Sequence, residues 1–163
     1  MQEKKFEFTY KVFDKLDDLD KSDQALLTMA REATKSAYAP YSRFNVGAAA
    51  IVEGGKTVTG TNQENASFPV GICAERSLLA TAATLFPGKA IETMAISYST
   101  GTRSTDKPIS PCGMCRQALQ EYELRTGKKM RIILGGQSGP IYIIEGAQSL
   151  LPLAFSGENL QDN

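Results

Sequence analysis

Two stretches of this chain, Cys73-Ala74-Glu75-Arg76 and Pro111-Cys112-Gly113-Met114-Cys115-Arg116, contain all three of its cysteines, and the sequence has no histidine. A transition metal bound here would have to rely on thiolates, which suit zinc, copper(I) and iron–sulfur clusters. A four-thiolate cluster is excluded within one chain. A structural zinc normally takes four Cys or His ligands, so three thiolates and a water, the arrangement of a catalytic zinc, is the simpler interpretation.

The spacing of the cysteines predicts two helix N-termini that face one metal. Cys112 and Cys115 are three residues apart, which places both on one face of a helix, and Pro111 suits the first helical turn. Cys73 and Glu75 are two apart, so they converge only if Cys73 lies at the mouth of a helix. Apolar residues follow at helical spacing, namely Leu78, Leu79, Ala82 and Ala83. The positive ends of the two helix dipoles would favour thiolates there.

Three other interpretations of the cysteines remain open. Cys112 and Cys115 could form a redox pair, or the cysteines could be core residues without a metal, since free Cys packs as a small hydrophobe. Neither explains a third cysteine beside a glutamate at a helix start. A non-catalytic zinc-stabilised module is the third alternative, and it would need a fourth protein ligand and no role for Glu75.

Composition restricts the class of protein. The 163 residues suffice for one well-buried domain and are few for two. Lys plus Arg and Asp plus Glu both total 18, so the chain lacks the basic footprint of a nucleic-acid binder. We expect no membrane-spanning segment and no signal peptide. Three cysteines, an odd number, do not form an intrachain disulfide framework, so we expect a cytoplasmic protein.

Hydrophobic periodicity predicts an α/β fold with three layers, α/β/α, around a mixed sheet of five core strands. The predicted strands are 45–52, 56–61, 91–98, 130–134 and 141–144. Glu53-Gly54-Gly55 is a hairpin signal, so the first two strands should be antiparallel. Residues 135–140 are too few for a crossover, so the last two strands should also pair antiparallel. Ser22 is the expected N-cap of the first helix, and Gly127 should end the helix that starts near Cys112.

The N-terminal 21 residues are expected to form an extension, and residues 22–163 the main domain. Residues 5–12 alternate between apolar and polar side chains, as a half-buried strand does. They predict an added edge strand or a subunit contact, with a loosely attached arm as the alternative. The acidic run 14–20 is predicted to be a solvated linker, and the polar loop 100–110 either a plain connector or a rim of the site.

Four motifs, in the same order, resemble the small zinc-dependent cytidine deaminases, and the resemblance runs from about Ser22 to Leu160. The motifs are residues 39–49, 62–68, 73–76 and 111–117, the last two matching the Glu and P-C-x-x-C signature of zinc deaminases. The resemblance implies hydrolytic deamination of cytidine and 2′-deoxycytidine to uridine and 2′-deoxyuridine, with release of ammonia, in pyrimidine salvage. It also implies one Zn²⁺ per subunit and a homotetramer with active sites near subunit interfaces.

The resemblance assigns roles at the metal. Cys73, Cys112 and Cys115 become the zinc ligands, and Glu75 becomes the residue that carries the proton. Three thiolates on a dipositive ion leave a net negative charge, so something must withdraw charge from the metal. Arg76, and with it Arg116, is expected to do so by hydrogen-bonding the sulfurs; the alternative for both is a surface salt bridge.

The resemblance also assigns roles at the substrate. In similar proteins Phe44 stacks on the pyrimidine, Asn62 and Glu64 bind the ribose hydroxyls, and Ala74 offers its backbone N–H to the base carbonyl. Asn62 could instead be a turn residue, and Phe44 a core aromatic. Phe155 matches a C-terminal aromatic that lies against a neighbouring active site, although packing within its own subunit is open.

The sequence differs from the family pattern at Phe68, and two alternative functions remain open. Phe68 occupies a place where relatives often have Tyr, so any role of that hydroxyl is in doubt. A deaminase acting on another amino-heterocycle is a rival, which the Asn62 and Glu64 pair argues against. A tRNA or DNA editor is a second rival, disfavoured by the balanced charge and the short link between the last two strands.

Overall fold

The computed structural model describes residues 1–101 and 103–160, and its strands form one mixed sheet in the order β1-β6-β5-β4-β2-β3. The strands are β1 (Lys11–Phe13), β2 (Phe44–Val52), β3 (Lys56–Thr61), β4 (Ile91–Thr100), β5 (Arg131–Gly135) and β6 (Ile141–Glu145). The α-helices are α1 (Lys21–Ala33), α2 (Ala74–Leu85) and α3 (Gly113–Thr126). No helix in the described ranges is long and apolar enough to cross a membrane.

Over the described residues the sheet has six strands, so the expected count of five is wrong by one. The additional strand is β1, which pairs antiparallel with β6 at the edge of the sheet. It is shorter than the alternation of residues 5–12 suggested, and of its three residues only Phe13 packs against the core. Residues 1–10 belong to no strand and are exposed, although the Tyr10 ring lies 5.1 Å from that of Tyr142.

The predicted antiparallel pairs are confirmed. β2 pairs antiparallel with β3 through the turn at Gly54 and Gly55, whose φ values of +94° and +76° favour glycine. β5 pairs antiparallel with β6, as the short link requires. β4 and β5 are parallel, and α3 lies in the crossover between them.

Helices cover both faces of the sheet, which confirms the three-layer prediction. On one face, α1 contributes Leu26, Leu27 and Ala30 to a core shared with Ala95 and Ile133 of the central strands. On the other face, α2 and α3 pack over the opposite side of the same strands; this core includes Leu78, Leu119, Met94, Ile96 and Ile132. Residues alternate between the two cores along β4 and β5, as the pleat requires.

The start of α1 differs from the prediction. The N-cap is Asp20, whose carboxylate accepts a 2.8 Å hydrogen bond from the Asp23 N–H, and Ser22 lies inside the helix. Both residue types are good caps, and the burial of Leu19 next to Asp20 places the cap earlier. The run 14–20 is therefore only partly a solvated linker.

Gly60 on β3 brings α2 unusually close to the sheet. A β-carbon at this position would lie 2.5 Å from the Leu78 nitrogen and 2.6 Å from the Ala74 carbonyl oxygen, both in the backbone of α2. Only glycine permits this approach. The first turn of α2 is thereby fixed against β3, and with it the positions of Cys73 and Glu75.

Candidate active site

The three cysteines meet where α2 and α3 begin. Cys73 is the N-cap of α2 and Cys112 the N-cap of α3, while Cys115 lies in the first turn of α3. Neither N-cap sulfur accepts a capping hydrogen bond from a backbone N–H of its own helix. The Sγ atoms of Cys73 and Cys112 are 3.8 Å apart, those of Cys112 and Cys115 are 3.5 Å apart, and all three lie within 4.8 Å of one another.

These separations fit a zinc ion. A zinc–sulfur bond of about 2.3 Å in tetrahedral geometry places two sulfur ligands about 3.8 Å apart. Within the described part of the chain, no fourth Cys, His, Asp or Glu shares this cluster. The donor set is therefore three sulfurs with one position left for another ligand, as in catalytic zinc sites.

The sulfurs also perturb one another. Hydrogen bonds from Cys115 first, and then from Cys112, together with the charge of Arg76, lower the pKa of Cys73 to about 6. The pKa of Cys115 is raised, because its thiol bonds to Cys73 and is buried. A thiolate is the form of Cys73 that this arrangement favours.

Glu75 is the buried carboxyl group of the site. It is the second residue of α2 and only 5% exposed. Burial raises its pKa, while hydrogen bonds from its own N–H and from Cys115 act in the opposite direction. A carboxyl group with a raised pKa is suited to accept and return a proton near neutral pH.

A cavity of about 1020 Å³ opens beside the three cysteines. It is lined by most of the predicted site residues, which are Phe44, Asn62, Glu64, Cys73, Ala74, Glu75, Arg76 and Cys112. Ala74 is the first residue of α2, so its N–H has no acceptor within the helix. Ile109 and Ser110 form part of the wall, so the end of loop 100–110 is a rim of the site.

Asn62 holds the backbone at the start of β2, and Glu64 holds the backbone just before it. The Asn62 side chain accepts from the Val46 N–H at 2.7 Å and donates to the Phe44 carbonyl at 2.9 Å. Glu64 accepts from the Tyr41 and Ser42 N–H groups and from the Ser42 hydroxyl. These bonds, with that from the Ser42 hydroxyl foremost, lower the pKa of Glu64.

The predicted contacts of the two arginines with sulfur are not observed. Within the described residues, Arg76 makes no hydrogen bond to the three sulfurs, and its charge acts on Cys73 through space. Arg116 donates to the carbonyl oxygens of Pro111, at 2.9 Å, and Leu150, at 3.1 Å. It thus braces the segment that carries Cys112, and no salt bridge of Arg116 is present in the described part.

Phe155 does not line the cavity of its own chain. The residue is 58% exposed, and its carbonyl oxygen accepts a 2.8 Å hydrogen bond from the side chain of Gln117 of α3. The nearby Leu153 is fully exposed. The structure thus places Phe155 on the surface, anchored by its backbone one turn beyond the start of α3.

Two residues that support the site were not singled out from the sequence. Tyr98 stacks on Phe44, with ring centroids 5.1 Å apart and planes 21° from parallel. Ser42 supplies the hydroxyl that bonds to Glu64. Tyr98 opposes Val46 in the β2–β4 register, so only knowledge of that register would have identified it.

Residues 20–128 match the family described as the cytidine and deoxycytidylate deaminase zinc-binding region. The chain belongs to this family. The matched range contains all three cysteines and Glu75, and it begins within two residues of the expected domain start.

Relatives in the family are similar over most of their length. The cytidine deaminase of Halalkalibacterium halodurans is 37% identical over 139 residues, covering 85% of this chain and 98% of that protein. The cytidine deaminase of Sporosarcina psychrophila is 35% identical over 139 residues, 84% of this chain and 93% of that protein.

Solved structures of family members have the same fold. The crystal structure of cytidine deaminase from Burkholderia pseudomallei superposes with a TM-score of 0.69 at 38% identity, covering 80% of this chain and 97% of that one. The structure of the Mycobacterium tuberculosis cytidine deaminase gives a TM-score of 0.63 at 33% identity, with 83% and 98% covered.

Proposed function

We propose that this protein is a zinc-dependent cytidine deaminase. It hydrolyses cytidine and 2′-deoxycytidine to uridine and 2′-deoxyuridine and releases ammonia, a reaction of pyrimidine salvage in the cytoplasm. The observation that carries the proposal is the convergence of three sulfurs, within 4.8 Å, beside the buried carboxyl group of Glu75 at a cavity wall.

Cys73, Cys112 and Cys115 would hold the zinc ion. Zinc bound there would lower the pKa of water from about 15.7 towards 7. Glu75 takes the proton that is released and delivers it to N3 of the pyrimidine ring, so one carboxyl group serves as base and then as acid. Its burial excludes competing water and keeps its pKa raised, which favours both halves of that transfer.

The remaining residues of the cavity orient the nucleoside. Phe44, backed by Tyr98, offers its ring to the pyrimidine. The Ala74 N–H donates to the base carbonyl. The Asn62 amide donates one hydrogen to the Phe44 carbonyl and has a second for a ribose hydroxyl. The Glu64 carboxylate accepts a hydrogen bond from a ribose hydroxyl. The backbone bonds of Asn62 and Glu64 are compatible with this role, because they fix both side chains before the substrate arrives.

The cavity suits an unphosphorylated nucleoside better than a nucleotide. Among the described residues that line it, Arg76 is the one cation, and its charge acts on Cys73. Glu64 and Glu75 add carboxyl groups to the same wall. A phosphate dianion would lack the basic partners that it needs, so we expect cytidine to be deaminated at a far higher kcat/KM than deoxycytidylate.

Exposed apolar side chains near the site support a homotetramer with active sites near subunit interfaces. Phe68, Val70 and Met114 line or adjoin the cavity and are 63–91% exposed, and Phe155 follows at 58%. Apolar surface clustered in this way is typical of interaction sites. Phe155 would then lie against the cavity of a neighbouring subunit. Light scattering should report about 70 kDa, four times the chain mass of 17.6 kDa.

The decisive experiment follows the ultraviolet absorbance of cytidine with the purified protein, before and after treatment with a zinc chelator. We expect conversion to uridine, its loss on chelation and its return with Zn²⁺. Conversion that persists without metal would contradict the zinc role. If cytidine stays unchanged while a panel of other amino-heterocycles is deaminated, the protein acts on a different base.

A further inference from the structure

The turn between β5 and β6 touches no part of the cavity, yet it contacts the loop that forms one of the cavity walls. The turn spans residues 136–140, which are absent from the cavity lining. The loop connects β4 to α3, and its last residues before the metal-binding Cys112 include Ile109 and Ser110, both in the wall.

Two glycines allow the turn and the loop to meet backbone to backbone. A β-carbon at Gly136 would overlap the carbonyl oxygen of Thr105 and lie 2.8 Å from its carbonyl carbon. A β-carbon at Gly139, where φ is +75°, would overlap the carbonyl oxygen of Asp106. The Gln137 N–H donates to the Thr105 oxygen at 2.8 Å. Any other residue at position 136 would push the loop away.

The turn is itself anchored to the rigid part of the fold. The Gln137 side-chain amide donates to the Tyr98 carbonyl at 2.9 Å, at the end of β4. Arg31 of α1 donates through Nε to the Gly136 carbonyl at 2.9 Å. Since the ring of Tyr98 stacks on Phe44, the same turn supports two walls of the cavity.

We propose that the Gly136–Gly139 turn is a positioning element for nucleoside binding. It sets the location of Ile109 and Ser110 through the backbone of residues 105–107, and so determines the KM for cytidine without touching the substrate. Cys73 and Glu75 are fixed with α2. Cys112 is tied to α3 by the bond from the Arg116 N–H to its carbonyl and by the bond from the Arg116 side chain to the Pro111 carbonyl. We therefore expect kcat and zinc content to be independent of the turn. The proposal rests on the proposed deaminase activity.

Gly136→Ala tests the proposal, with Gly101→Ala as the matched control in the same loop. A β-carbon at Gly101 meets nothing within 4 Å. We expect Gly136→Ala to raise the KM for cytidine about tenfold, since small displacements of a binding wall have large effects. Its kcat and zinc content should stay near those of the unaltered protein. Amide hydrogen exchange in residues 103–110 should become faster, whereas Gly101→Ala should leave both KM and exchange unchanged.

Gln137→Ala is the second variant, because Gly136→Ala could fail to fold. It keeps the N–H bond to Thr105 and removes the side-chain bonds to the Tyr98 carbonyl and the Ser97 hydroxyl, so KM should rise in the same direction by less. If either variant shows faster amide hydrogen exchange in residues 103–110 but the same KM as Gly101→Ala, the positioning role is overturned. A fall in kcat and zinc content at constant KM would overturn it as well. If the unaltered protein does not deaminate cytidine, the proposed function fails and this proposal fails with it.

Discussion

Glu75 is the residue on which the proposed chemistry depends most directly. Its carboxyl group is 5% exposed and has a raised pKa because of burial. Gln has the same shape but cannot take up and return a proton. Glu75→Gln should therefore retain zinc and lower kcat by about 10²- to 10⁴-fold, the usual contribution of a general acid–base. Ammonia release and metal content, measured on the same sample, distinguish a loss of proton transfer from a loss of zinc.

Glu121→Gln is the matched control for this prediction, since Glu121 is an exposed glutamate on α3. It should leave both readouts unchanged. Full activity in Glu75→Gln would remove the proton-transfer role, and loss of zinc in that variant would mean that Glu75 is a metal ligand.

The lowered pKa of Glu64 leads to a prediction about the pH dependence of its hydrogen bonds. Hydrogen bonds from the Ser42 hydroxyl and from the Tyr41 and Ser42 N–H groups favour its ionised form and lower its pKa below the ordinary 4.5. Because the folded-state pKa is depressed, the stabilisation is present above pH 4.5 and is lost as the pH falls through the lowered value. The Tyr41 and Ser42 amide resonances should therefore titrate with a midpoint below 4.5. A midpoint at or above that value would mean that these bonds do not form in solution.

At the residue scale, sequence reasoning predicted the convergence of the cysteines but not how their neighbours are arranged. Two local patterns made the cysteine cluster predictable. They are the i, i+3 spacing after Pro111 and the helix start at Cys73. Partners such as Ser42 for Glu64 and the Leu150 carbonyl for Arg116 are set by tertiary packing. The predicted sulfur contacts of Arg76 required side-chain directions that its position in the sequence does not determine.

Among the elements, α2 is the one whose position matters most for the site, and Gly60 controls that position. In Gly60→Ala the new methyl group would press on the backbone of α2 at Ala74 and Leu78. Overpacking of this kind typically costs about 1–3 kcal/mol of the free energy of unfolding. We expect a lower melting temperature together with reduced kcat, because the first turn of α2 carries Glu75.

Thr57→Ala, at an exposed position of the same strand, is the control for Gly60→Ala. Thermal unfolding followed by circular dichroism, with activity at 25 °C, provides the measurement. A Gly60→Ala protein with unchanged stability and rate would mean that α2 moves away from β3 at no cost.

The elements themselves were largely predictable, because most carry a local signal. Gly127 ends α3 in a left-handed conformation, with φ of 67°, and Gly54 and Gly55 form the predicted turn. Where two signals compete, the sequence alone does not decide. Asp20 and Ser22 are both good caps, and burial of Leu19 selects Asp20.

At the scale of the whole molecule, the question is whether the folded domain depends on the N-terminal arm, residues 1–10. All side chains of residues 1–10 are exposed, and Tyr10 is the residue of the arm whose ring contacts Tyr142 of β6. Deletion of residues 1–9 should therefore leave the cooperative unfolding transition in place. We expect the melting temperature to change by less than about 2–4 °C, the shift that corresponds to 1 kcal/mol in a domain of this size.

A larger loss of stability on deletion would mean that the arm is buried in the assembled protein, and light scattering on the same variant would reveal the change in mass. The count of strands in the sheet depended on the residues that follow this arm, Lys11–Phe13. Residues 5–12 alternate throughout, but only 11–13 find a partner strand, since pairing depends on the register with β6 and not on periodicity alone.

The reliance on three thiols and no imidazole has a consequence for handling the protein. With metal removed, the Cys112 and Cys115 sulfurs, 3.5 Å apart, need only a small movement to reach the bond length of about 2.05 Å of a disulfide. Air oxidation would then consume two of the three ligands and leave Cys73 to cross-link with another molecule. Apoprotein kept without a reductant should thus lose its capacity to be reloaded, and dithiothreitol should restore it.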